Sequence, residues 1–222
     1  MPLRTHVADD VRALAPGFAH VAVVARGLVG GPSDAAGAAL LDDAARRLAA
    51  RLDGTPPQQD PHMQAWRAAY AAFGAKPSKF RNSAEALARR ALADAGLPRI
   101  NRLVDIYNAV SVAHLVPVGG EDTDRIDGDM HLIRATGEER FDDEHPEPGE
   151  VVWRDGTGVT CRRWNWRQGV RTRLTEESVN ALFLLERQEP MTYAELTAAA
   201  QELAEALQKS SPGAEIEIRD PA

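Results

Sequence analysis

PVGGEDTDRIDGDMHLIRATGEERF, residues 117–141, divides the chain into two kinds of sequence. Before it, alanine and leucine recur at helical spacing; after it, short runs bearing valine and tryptophan lie between glycine turns. Within it, GGEDTDRIDGD (119–129) reads as a loop of glycine and acids. MHLIRATGEERF (130–141) then reads as a strand, a turn at Gly137 and a second short strand. The pattern predicts an α+β fold, one compact domain over 1–222, with a helical first half and a β-rich second half.

Upstream, FAHVAVVA (18–25) is rich in valine and reads as a strand ended by the glycines of GLVGGPSD. A helix follows over AAGAALLDDAARRLAARL, with Ser33 or Asp34 as N-cap and Gly54 as the stop. TPPQQDPH reads as a loop, and a second helix covers 62–73. Asn82 with Glu85 resembles a capping box opening a third, and a fourth runs from Asn101 to about Ala113. Downstream, EVVWRD and GVTCRRWNW read as strands joined at Asp155-Gly156. Thr175 is expected to cap a helix over EESVNALFLLERQ, and Thr192 with Glu195 a helix to about Ser210; EIEIRD reads as an edge strand.

Apolar residues make up 44% and charged residues 27% of 222, which is an ordinary globular composition. No apolar run approaches the roughly 20 residues that cross a bilayer, so no membrane partner is expected. The N-terminus carries acids and no apolar core, unlike a signal peptide, and the expected compartment is the cytoplasm. A net charge of −7 argues against sequence-blind binding to DNA. One cysteine, Cys161, and six histidines without metal spacing predict no metal site and no cofactor.

Against that negative background, CRRWNWRQ (161–168) stands out: Arg162, Arg163, Arg167, Arg171 and Arg173 lie close together around Trp164 and Trp166. As a strand it would place Cys161, Arg163, Asn165 and Arg167 on one face and Arg162, Trp164, Trp166 and Gln168 on the other. Arginine forks suit phosphate or carboxylate, and tryptophan faces suit a base or a flat side chain. The competing reading is structural, with tryptophans in the core and arginines paired to the acidic loops. Asn108 and Ser111 share a helical face, and Gly119-Gly120 allows close backbone approach to a ligand. Helical spacing of Asp105, Ser111 and His114 does not give a nucleophile–base geometry.

NRLVDIYNAVSVAHLVPVGGEDTDRIDGDMHLIRATGEERF resembles the opening of the tRNA-editing (B-three/B-four) module of the bacterial phenylalanyl-tRNA synthetase beta subunit. The shared frame comprises Asn101, Val104, Asp105, Ile106, Asn108, Pro117, Asp122, Asp124, Arg125, Ile126 and Arg134, and the resemblance extends over about 60–190 to free-standing relatives. It implies a helical layer packed on a mixed β-sheet, and hydrolysis of wrongly charged tRNA, not aminoacylation. The family's pocket histidine falls at Gly119 here, and its pocket glutamate has no evident counterpart near CRRWNWRQ.

The expectation is therefore a trans-acting aminoacyl-tRNA deacylase, or an aminoacyl-tRNA-binding factor, engaging the tRNA 3′ end. Asn165 and Arg167 would stabilise charge, and Glu121 or Asp122 would orient water. Asn108, Ser111, Gly119, Gly120, Arg163, Trp164 and Trp166 would line the substrate pocket; Lys79, Arg81, Arg171 and Arg173 would touch tRNA phosphates. The alternative is a non-catalytic pocket for a free amino acid or small anionic metabolite. A third reading is docking on another translation protein through helix 192–209.

Overall fold

The structure, a computed structural model, describes residues 3–220; both ends of the expected 1–222 unit, including the first two residues of the N-terminus read above, lie outside the described residues. The fold is α+β. In order it contains β1 (Thr5–Val7), α1 (Asp9–Leu14), β2 (Ala19–Arg26), α2 (Ala35–Leu52), α3 (Pro61–Ala72), α4 (Ser83–Ala91) and α5 (Arg102–His114). Then come β3 (Val118–Asp122), β4 (Met130–Arg134), β5 (Val151–Arg154), β6 (Val159–Arg162), β7 (Arg167–Gln168), β8 (Asn180–Arg187), α6 (Tyr193–Ser210) and β9 (Glu215–Arg219).

One sheet is antiparallel, in the order β3-β8-β2-β9; the other, β1-β4-β5-β6-β7, is mixed because β1 runs parallel to β4. Side-chain alternation gives the first sheet two buried faces. Val21, Val23, Phe183 and Leu185 pack in one core with residues of α5 and α6. Ala22, Val24, Leu182 and Leu184 belong to the other core, which includes Trp66, Trp153 and Trp164. Among the described residues no helix is long and apolar enough to cross a membrane.

The caps read from sequence form. Asp34 accepts from Gly37 N (2.8 Å), Asn101 from Val104 N (2.9 Å), and Thr192 with Glu195 makes a full capping box. Each such cap contributes about 1 kcal/mol. Asn82 accepts from Glu85 N (2.8 Å), but the Glu85 side chain does not reach back. Buried, it accepts two bonds from Arg67 instead (2.8 and 3.0 Å).

Four expectations are overturned. NALFLLER is a strand, β8, not part of a helix, and it pairs with both β2 and β3. Its unbroken apolar run fits a strand buried on both faces as well as it fits a buried helix, and periodicity does not separate the two. VGGED is likewise a strand, with Gly119 opposite Leu184 and Gly120 opposite Phe183. A side chain on Gly120 would meet Leu174 and Tyr107 at 2.8–3.0 Å, so glycine here serves packing within the sheet and not a loop. The strand after Gly137 reduces to a single bridge, Phe141 with Glu144.

The strand through CRRWNW ends at Arg162, and the chain turns back to β7. Arg163 (φ 45°) and Trp164 (φ 66°) both adopt the left-handed conformation, which costs a non-glycine residue roughly 1–2 kcal/mol. Burial offsets that cost. The turn carries the Trp164 ring fully into the core, edge-on to Phe18 (5.0 Å) and Trp66 (5.4 Å), while the backbone N–H of Trp164 donates to Val151 O (2.6 Å). The strict two-face alternation expected over 161–168 is therefore absent.

Candidate functional site

A cavity of about 420 Å³ opens between the two sheets, closed at its side by α4 and α5. Strand alternation determines what enters it. Glu121 and Gly119 on β3, and Leu184 and Glu186 on β8, share one face, and all four line the cavity. Trp153 and Cys161 come from the second sheet, Trp164, Asn165 and Trp166 from the turn, Gln168 from β7, and Tyr107 and Asn108 from α5. Exposed Lys79 and Arg90, with Arg81 half-buried, form a cationic rim.

Two buried carboxylates dominate the interior. Glu186 accepts from Trp153 Nε1 and from Asn165 Nδ2, both at 2.8 Å. Asn165 is itself held by Tyr70, whose hydroxyl donates to Oδ1 (2.8 Å). Glu121 accepts from Gln168 Nε2 (2.8 Å). Burial pushes both acids up to about 7, against which these hydrogen bonds act only partly. Neither forms an ion pair with lysine or arginine among the described residues; Arg171, the cation that most favours ionised Glu121, is itself bound twice to Asp155 (2.7 and 2.9 Å). The Trp164 ring N–H is buried in the cavity wall near Glu186, whose charged form it favours, without a hydrogen bond of good geometry, and the Ser83 hydroxyl is buried with no partner among the described residues. Burial also raises the Cys161 thiol well above its ordinary value, which keeps it protonated. A side chain added at Gly119 would meet nothing within 4 Å, so the middle of the cavity is open.

Of the residues singled out from sequence, Asn108, Gly119, Glu121, Trp164, Asn165 and Trp166 meet in this cavity, with Lys79 and Arg81 at its rim. The others lie outside the lining. Asp122 follows Glu121 on the strand and so faces the opposite way, where it accepts from Ser178 Oγ (2.6 Å) and Asp124 N (3.1 Å). Ser111 donates to Val116 O (2.6 Å), closing the end of α5, and His114 instead meets Glu202 (2.7 Å). Asp105 accepts from Ile100 N and from Ser33, so no triad forms. Gly120 contributes only its carbonyl, which accepts from Gln168.

The arginines of the turn are answered from within the protein. Arg162, buried, forks onto Glu150 (2.9 and 2.8 Å) and reaches Glu144 (2.6 Å). Arg167 pairs with Glu144 (2.8 Å), and Arg163 lies over Phe80 (3.8 Å) and Trp166 (4.7 Å). Arg171 is held by Asp155, and Arg173 is exposed. Sequence reading missed Glu186, Trp153, Tyr107, Gln168 and Arg90. A strand assignment for NALFLLER would have exposed the first, since a lone glutamate on an otherwise apolar central strand demands a polar neighbour.

Comparison with known proteins decides the family. The model of the B3/4 domain matches residues 65–209, which include every residue of the cavity. The chain belongs to the B3/4 domain family. The N-terminal fragment of the phenylalanyl-tRNA synthetase beta subunit from Pyrococcus horikoshii is similar in structure, with a TM-score of 0.47 and 13% identity. That match covers 99% of this chain and 51% of the fragment, so the chain spans about half the fragment's length. No curated protein sequence matches. Within this B3/4 domain the shared frame has visible structural work: Asn101 and Asp122 cap, Asp105 ties α5 to the loops before it, and Asn108 reaches the cavity.

Proposed function

We propose that the chain, acting as one editing-like domain, hydrolyses aminoacyl-tRNA in trans. The observation that supports it most is a cationic rim of Lys79, Arg81 and Arg90 on a cavity whose interior holds two buried acids of near-neutral pKa. Phosphates of the tRNA end meet the rim, Trp166 offers a stacking face to the terminal adenosine, and the aminoacyl group enters between the sheets. Glu186, ionised, takes a proton from water as the water oxygen attacks the ester carbonyl. The Trp164 N–H and the Asn165 amide are the donors beside Glu186 for the developing oxyanion. Collapse breaks the bond to the ribose oxygen, which receives the proton, leaving free amino acid and intact tRNA. Among the residues expected from sequence, Asn165 keeps a catalytic role, while Arg167, bound to Glu144, and Asp122, on the opposite face, take none.

The alternative, a pocket for a free amino acid, draws on the same acids, which would repel an anionic metabolite. Salt separates the two. tRNA binding should weaken with a log–log slope of about −0.7 per single-strand phosphate neutralised, whereas a free amino acid should barely respond. The direct test is release of amino acid from a panel of charged tRNAs by the purified protein. Hydrolysis of at least one class, lost in Glu186→Gln, is expected; binding without hydrolysis of any class contradicts the catalytic reading.

A further inference from the structure

The two acids sit far apart on one face. Glu121 pairs with Leu182, and Glu186 lies four residues further along β8, beyond the Gly119–Leu184 pair. At the rise of an antiparallel strand this separates their Cα atoms by about 14 Å. The cavity therefore has a carboxylate at each end, with open space over Gly119 and an apolar wall of Leu184 and Trp153 between. The donors of the hydrolytic end, Asn165 and Trp164, cluster at Glu186. At Glu121 the stabilising neighbours are the side chains of Thr172, Gln168 (2.8 Å) and Thr160, all neutral, and no lysine or arginine among the described residues pairs with it. Gln168 is also bound to Gly120 O. A buried carboxylate that lacks a cation of its own calls for one from the ligand.

We propose that Glu121 reads the side chain of the aminoacyl group and selects one that ends in a cation, an ammonium of the lysine kind or a guanidinium of the arginine kind. The α-ammonium does not fill this role, because it sits on the carbon next to the ester carbonyl and stays at the Glu186 end. A methylene stem running over Gly119 against Leu184 and Trp153 delivers the charge to Glu121. There the ammonium or guanidinium donates to the Glu121 carboxylate, a charge-assisted bond that a neutral side chain of equal length does not make. Gly119 is the matching device: any side chain at this position would occupy the path of the stem.

This inference rests on the hydrolytic reading for its substrate, and the test separates the two. Hydrolysis rates are compared for tRNAs charged with lysine, arginine, leucine, phenylalanine and tyrosine, using the wild type and Glu121→Gln, with circular dichroism and melting to verify folding. The expected kcat/KM for the two cationic groups exceeds that for the neutral ones by tenfold or more. In Glu121→Gln this ratio collapses through a rise in KM for the two cationic groups. Preference for a neutral group, or a ratio unchanged in Glu121→Gln, overturns the inference and leaves the hydrolase reading standing. If no tRNA is hydrolysed, calorimetry with lysine methyl ester and norleucine methyl ester decides. Binding of the first alone, lost in Glu121→Gln, supports cation selection and removes the hydrolase reading. Failure of both esters to bind overturns cation selection as well.

Discussion

The arginine-rich turn and the cavity beside it handle charge in opposite ways. In the turn every guanidinium from Arg162 to Arg171 has a partner in the protein: Glu144, Glu150, Asp155 or an aromatic face. In the cavity Glu121 and Glu186 are just as buried as Arg162, yet neither has a cation. A dense run of charge in sequence is thus a structural clasp, and two acids separated by 65 positions form the proposed site. What marks function is not how much charge is present but whether the fold has already neutralised it.

The largest expected effect breaks the clasp. Glu150→Ala leaves Arg162 buried with Glu144 as its remaining carboxylate, and Glu144 is half exposed. Removing one partner of such a pair typically costs about 3–5 kcal/mol, so urea unfolding should show a loss of that order. A loss below about 1 kcal/mol would make the turn a surface feature, and the contrast with the cavity would fail.

The unpaired acids should give stability a distinctive pH dependence. Folded Glu121 and Glu186 hold their protons to about pH 7, whereas the ordinary value is 4.5. Between those values the folded state binds more protons than the unfolded one, so these groups make stability fall as pH rises, and the fall is complete above about 7. His20 and His62, lowered to about 4 by burial, act oppositely, with stability rising toward their ordinary 6.5. The comparison is therefore between proteins: melting from pH 5 to 8 should decline more in the wild type than in Glu121→Gln or Glu186→Gln, by up to a few kcal/mol per acid. Parallel curves would mean that these acids are ionised in the folded state.

The rim gives the smallest effect. Lys79→Ala and Arg90→Ala should each reduce the salt slope of tRNA binding by about 0.7 and leave the melting temperature unchanged, since neither exposed cation has an acidic partner within 4 Å among the described residues. Arg171→Ala should leave that slope alone, because its charge is already held by Asp155. If the two results were reversed, tRNA would be gripped by the turn.

Much of the architecture was legible because its signals are local. Asp34, Asn101 and Thr192 announce their helices by side-chain-to-backbone bonds within three residues, and EIEIR shows its edge position by alternation. β3 and β8 were not legible for the opposite reason. GGED lacks β-formers and LFLL lacks a period, and both are strands only because they pair with each other in the sheet. The site inherits that limit. Asn108, Glu121 and Asn165 could be nominated by type, but Glu186 stood within an expected helix. The turn hid in the same way: two consecutive left-handed non-glycine residues are set by the burial of Trp164, which only the tertiary structure supplies.

One pair of variants tests whether the proposed hydrolysis belongs to the cavity or to the arginine turn. Single-turnover deacylation of the best-hydrolysed aminoacyl-tRNA is measured for the wild type, Glu186→Gln and Arg167→Ala, from pH 5.5 to 8.5. The wild-type rate should climb tenfold per pH unit and level off near 7, where burial sets Glu186. Glu186→Gln should lose about 10²–10⁴-fold together with that pH limb, and Arg167→Ala should track the wild type. A folded Glu186→Gln with wild-type turnover, beside an inactive Arg167→Ala, would return the chemistry to CRRWNWRQ.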